Sequence, residues 1–279
     1  MRKKRAYEIY NKRINDYYFN QIMNIAISRI QWENLPETID ERFLEYTLLT
    51  DGMAIFFYDE VLGYLTLQCM IGGQINQYRI PKERVAYSAG RQYQNKLNEN
   101  DSVIIFNNLT HTNCINDIEI FANRLSNIHQ TIDINIKSQK TPILVKCKEN
   151  KRLTLKNLYE QYEGNSPVIW GEDTISTDEL KVLNTQSPFI ADKLLAVKEK
   201  IWIDLFDYLG IYTLENKKER MIVDEVSRSQ GIANSFRWSY LNMRKQACEQ
   251  INKMFNLNID VKFKDDLINN TEKEGDISE

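Results

Sequence analysis

The chain has 279 residues, 42% of them hydrophobic, enough apolar side chain to bury a sizeable core, which excludes a disordered protein. A net charge of -3 excludes a uniformly basic surface, so any contact with a polyanion has to come from local clusters. No run approaches the roughly 18 apolar residues of a membrane span. Cys69, Cys114, Cys147 and Cys248 are too scattered for paired zinc ligands or a disulfide framework, as expected in reducing, cytoplasm-like conditions.

The first thirteen residues form a basic arm in which Arg2, Lys3, Lys4, Arg5, Lys12 and Arg13 face the single acid Glu8. From Ile14, apolar residues at Tyr18, Ile22, Ile25 and Arg29 to Trp32 fall at helical spacing until Pro36, which predicts a long first helix. Between Met53 and Phe106 short apolar runs, separated by Gly72-Gly73, Pro81 and Asn/Asp clusters, predict a β-rich body. Together these elements span residues 14–117.

A second helical stripe, Ile118, Phe121, Ala122, Leu125, Ile128, Ile132 and Ile136, ends at Thr141-Pro142 and gives a rod of roughly 33 Å over 118–140. In 141–186, "PILVKC" and "PVIWGE" are expected as strands that rejoin the β-rich body, with "LKNLYEQYEGN" a short helix ended by Gly164. Ser187-Pro188 has the form of a helix start, and Ile190, Leu194, Val197, Ile201, Leu205 and Leu209 carry a stripe over 187–210 that Gly210 stops. Residues 211–235 show no helix period and contain Lys217, Lys218, Glu219 and Arg220. So long and mixed a loop is usually functional. Phe236, Tyr240, Met243, Ala247, Ile251 and Met254 form another helix, and Leu257 to Phe263 alternate as a strand, within 236–264. Residues 265–279 are acidic.

Catalytic constellations are scarce. The chain has His111 and His129, but no Gly-rich phosphate loop, GxSxG or HExxH. His129 lies beside Ile128 and Ile132 on a helix, where a structural role outweighs metal ligation, since a metal site needs three or four convergent ligands. Asp173 followed by Glu179-Leu180-Lys181 faintly resembles the acid-then-ExK spacing of restriction-type nucleases, and a solvated face before a helix accounts for it better. No metal and no cofactor are expected. On pattern alone, Lys193 and Lys198 beside Asp192 and Glu199 are an exposed, salt-paired face.

Six segments in order change that balance: "WENLPETI" (32–39), "QKTPILV" (139–145), "YEGNSPVI" (162–169), "DKL" (192–194), "KKERMIVDEV" (217–226) and "ACEQINKMFNLNIDVKF" (247–263). On these the chain resembles the upper collar, or portal (head-tail connector), proteins of small short-tailed Salasmaviridae-type, picovirus-like phages. The resemblance implies an α+β portal fold with long stem helices, a β-rich, SH3-like wing and a C-terminal helical crown region, assembling as a dodecameric ring. It also implies a place in the virion, at the portal vertex of a capsid assembled in the host cytoplasm.

By the same resemblance, residues 14–117 are the wing, helices 118–140 and 187–210 the stem and 211–235 the tunnel loop. Lys193 matches a channel-lining lysine, while a second family lysine is replaced by Asn184, with Lys181 nearby. Lys193, Lys198, Lys217, Lys218 and Arg220 are then the DNA-channel residues, and Arg2, Lys3, Lys4 and Arg5 the contact to a structural packaging RNA or the motor. The implied partners are double-stranded DNA, a packaging ATPase, major capsid and scaffolding proteins and a lower collar or tail protein, with no membrane. The chain itself is expected not to be an enzyme. A metal-dependent nuclease is the alternative, and a monomeric RNA-binding protein would have to cover its own long apolar stripes.

Overall fold

The computed structural model describes residues 2–139, 143–145, 180–182, 188–212 and 223–264, with backbone alone at 2–7, 143–145, 180–182 and 223–230. The chain divides into two compact units: residues 1–127 with 197–279, and residues 128–196.

The larger unit opens with helix α1 (Arg2–Ser28) and strand β1 (Ile30–Glu33). The stretch from Ile30, expected to continue the helix, is therefore a strand. Its register is set from the far end of the chain, where β9 (Asp260–Phe263) pairs antiparallel with it, Ile30 opposite Phe263 and Trp32 opposite Val261. Ile30, Trp32, Val261 and Phe263 alternate into the core, and this long-range pairing outweighs local helical spacing.

Helix α2 (Glu41–Asp51) starts at Asp40, whose carboxylate accepts from the Phe43 amide, and ends at Gly52 with φ 83°. Strands β2 (Met53–Asp59), β3 (Gly63–Ile75), β4 (Pro81–Tyr87), β5 (Gln94–Asn98) and β6 (Ser102–Phe106) form one antiparallel sheet in the order β5-β4-β3-β2-β6. The last strand, β6, returns to pair with the first, β2. Period-two alternation serves both faces: Ala54, Phe56, Val103 and Ile105 enter the main core, while Ile55, Phe57 and Ile104 join Cys69 and Ala86 in a second cluster.

Helix α3 (Ile115–Ser138), helix α4 (Ala191–Leu209) and helix α5 (Val223–Phe255) complete the long elements. Ile118, Ala122, Leu125, Leu205, Leu209, Tyr240, Ala247 and Ile251 reach the same core as Ile14, Tyr18 and Ile22 of α1. Both stem stripes read from the sequence are thus helical, and in the larger unit they pack inward.

In the smaller unit, β7 (Ile143–Val145) pairs antiparallel with β8 (Leu180–Val182) in a sheet of its own. Ile143 to Val145 were expected to rejoin the β-rich body. Their backbone pairs with Leu180 to Val182, in a segment that the sequence presents as a solvated face. The "PVIWGE" and "LKNLYEQYEGN" segments lie outside the described residues. The start of α4 also differs, beginning at Ala191 rather than at Ser187-Pro188. Buried Asn135 of α3 accepts from the Ile190 amide at 3.1 Å and donates to the Pro188 carbonyl at 2.9 Å, so the cap comes from another helix.

Candidate nucleic-acid interface

The basic head is not a separate arm. α1 starts at Arg2, so Arg2, Lys3, Lys4 and Arg5 occupy its first turns, and the helix runs unbroken to Ser28. Residues 8–13 are exposed all round, including Lys12, Arg13 and Ile9, and Ile14 is the first α1 residue in the core. The stretch 8–13 of α1 therefore lies outside the packed core. The first turn of α1 carries no acid, so its cations oppose the helix dipole.

On α4, Lys193 is exposed, whereas Lys198 is half-buried with its ammonium 5.4 Å from the centre of the Tyr18 ring. Five residues at about 100° each put the two lysines roughly 140° apart, so they do not share a helix face. Lys200, also exposed, stands seven residues from Lys193 and returns to nearly the same face. Its heptad spacing was the available signal for it. Lys217, Lys218 and Arg220 lie outside the described residues, as do Asn184, Asp173 and Glu179, and Lys181 sits in β8. Among the described residues, no group of three or more His, Cys, Asp or Glu side chains is placed to hold a metal ion. No described helix is long and apolar enough to cross a membrane.

The segment expected as one loop, 211–235, is helical from Val223 onward. The inward face then continues through Ala233 and Arg237 to Tyr240, and it was hidden because one of its members is charged. Arg237 is buried, donates to the Gly210 carbonyl at 3.0 Å, and stacks its guanidinium 3.9 Å from the Phe263 ring and 4.6 Å from Tyr212. Gly210, at φ 71°, is the close approach that permits this. A Cβ there would lie 2.7 Å from the Arg237 Cα. Tyr212, whose hydroxyl also donates to Asn234, fixes the chain immediately before residues 213–222.

Deeper in the same unit lies an ionic cluster that hydropathy could not reveal. Glu45 of α2 accepts from Arg244 of α5 at 2.9 and 2.7 Å and from the Trp32 indole at 2.8 Å, with both charged groups fully buried. Burial pushes the Glu45 carboxyl up, but the Arg244 guanidinium outweighs it and holds the group below its ordinary value. Arg29 sits beside this pair and is lowered by burial.

Among solved structures, the fold is similar to that of a chain in the portal and tail of native bacteriophage P68, with a TM-score of 0.52 at 17% identity over 100% of this chain and 98% of that one. A chain from the virion of a native gene transfer agent particle matches at TM-score 0.49 and 10% identity, covering 94% of this chain and 83% of that chain. An HK97 family phage portal protein from Corynebacterium diphtheriae matches at 0.44 and 9%, with 93% of each chain covered. A family model described as Phage Connector (GP10) matches residues 2–268, so this chain belongs to the phage connector family.

Proposed function

We propose that twelve copies of this connector close into a ring whose channel passes double-stranded DNA during packaging, holds it, and releases it through the tail. The observation that carries this reading is the apolar surface left on the stem helices. Ile120, Ile134 and Ile136 on α3, with Phe189, Leu195 and Val197 at and before α4, are each between 45% and 66% exposed. Surface of this kind marks an interaction site, and neighbouring copies in a heterologous ring would cover it.

The lysine chemistry suits a conduit. Symmetry repeats Lys193 around the channel, and Lys217, Lys218 and Arg220 would add rings from the tunnel loop. Lysine is a hydrated point charge without a bidentate phosphate grip, and Glu219, Asp224 and Glu225 limit the attraction. Weak, distributed phosphate contacts let DNA slide, whereas a site neutralising many phosphates would hold it. Lys198, engaged with Tyr18, contributes less than Lys193 or Lys200.

The basic turns of α1, Arg2 to Arg5 with Lys12 and Arg13, contact the packaging motor or a structural RNA through phosphates, without sequence readout. Capsid and scaffolding proteins dock outside the ring, and a lower collar or tail protein replaces the motor. ATP is hydrolysed by the packaging ATPase. A packaging assay with Lys193→Ala, Lys200→Ala and a deletion of 213–222 tests the channel: all three should assemble, with altered DNA retention or exit. Unchanged packaging, retention and ejection in all three would reject these residues as the channel surface.

A further inference from the structure

Arg29 is 4% exposed, and its Nε, Nη1 and Nη2 are all shielded from solvent without a hydrogen-bond partner. Its cation rests 4.1 Å from the centre of the Tyr240 ring, one helical turn along α5 from Arg244. A ring face compensates a desolvated guanidinium only in part, because five N–H donors remain unmet. The Arg29 main chain, by contrast, is fixed: its carbonyl accepts from the Lys264 amide at 3.0 Å beside the β1–β9 pairing. The backbone is anchored while the charged end has nothing to bind.

The neighbouring carboxylate shows what it would bind. Glu45 attracts Arg29, and Arg244 repels it. Arg244 holds Glu45 through Nε and Nη2, but its Nη1 has separate acceptors, the carbonyls of Asn107 at 2.8 Å and Tyr240 at 3.1 Å. It can surrender Glu45 and stay partly bonded. Arg29 can accept Glu45 and become bonded for the first time.

We propose that Glu45 is a shared acceptor for two guanidiniums, held by Arg244 in this structure and passed to Arg29 when α5 shifts against α2. In the first state the carboxylate ties α2 to α5; in the second it ties α2 to the α1–β1 junction and frees α5. This makes Arg29 a reserve partner, carried at a cost in stability in the present state, and the device rests on the buried cluster alone, independent of the channel assignment.

A double-mutant cycle on the full-length assembled protein, read by thermal unfolding, tests it. In the wild-type background Arg29→Met removes an unpaired buried charge and should raise Tm by about 2–4 °C. In an Arg244→Met background Arg29 has inherited Glu45, so the same substitution should lower Tm by at least as much. Arg244→Gln, which removes the competing charge but keeps a polar side chain, supplies the second background if Arg244→Met does not fold. Opposite signs are the expected result. A rise or no change in both backgrounds would mean that Arg29 never reaches Glu45, and a fall in both would mean that it is already satisfied; either overturns the proposal.

Discussion

Replacing Glu45 with glutamine keeps the shape of the side chain and removes the charge that faces two buried guanidiniums. Arg244 then loses the ionic character of two bonds, at 2.9 and 2.7 Å, while remaining fully buried. Breaking a buried pair from one side costs about 3–5 kcal/mol, because the surviving charge is left uncompensated. Glutamine retains one carbonyl oxygen for Trp32 or Arg244, which places the expected loss near the lower end, about 3 kcal/mol. At about 2–4 °C per kcal/mol, the melting temperature should fall by roughly 6–12 °C in scanning fluorimetry of the assembled protein. Glu45→Ala, which removes every acceptor, should fall further. A loss below about 1 kcal/mol for Glu45→Gln would show that the pair is not the tie between α2 and α5 described above.

The same carboxylate shapes the acid limb of stability. Its folded pKa lies below its unfolded one, so its contribution is complete above the ordinary glutamate value of about 4.3 and is lost as pH falls through the lower, folded value. Glu45→Gln should therefore flatten the pH dependence of Tm below about pH 4.3. Gly210→Ala should cost about 2–4 kcal/mol through left-handed backbone and the clash with Arg237, whereas Gly231→Ala, with open space inside α5, should stabilise by about 0.5–1 kcal/mol; chemical denaturation separates the two. Asn135→Ala should raise amide exchange at Ile190, whose partner it removes, with a local loss of about 1–3 kcal/mol. Replacing Arg2, Lys3, Lys4 and Arg5 together by serine should weaken binding to double-stranded DNA or folded RNA uniformly across sequences, and should lower the slope of log affinity against log salt by about 3.

Much of the fold was legible because it rests on uninterrupted periodicity. The stripes from Ile118 and from Ile190 mark α3 and α4, Gly210 marks the end of α4, and the alternation around Val261 and Phe263 marks β9. What was misread has a physical cause in each case. Ile30 to Glu33 has a local helical spacing, yet its partner strand lies at Asp260–Phe263, a pairing that no local window contains. The first turns of α5 show no apolar period in the sequence, and buried Arg237 interrupts the stripe that follows. Charged residues normally mark the outside. Here Glu45, Arg237 and Arg244 are inside, satisfied by one another, by carbonyls and by ring faces, and Arg29 is inside with only a ring face against its cation. The cations of the interface were legible as residues, while their separation on α4 and the helical state of the basic head depended on the folded backbone.

The most direct test of the account is the mass and two-dimensional class averages of the purified full-length protein in moderate salt, without DNA. The exposed apolar faces of α3 and α4 predict a closed ring with a central hole, twelve copies in mass. A stable monomer that keeps those faces in water would contradict it.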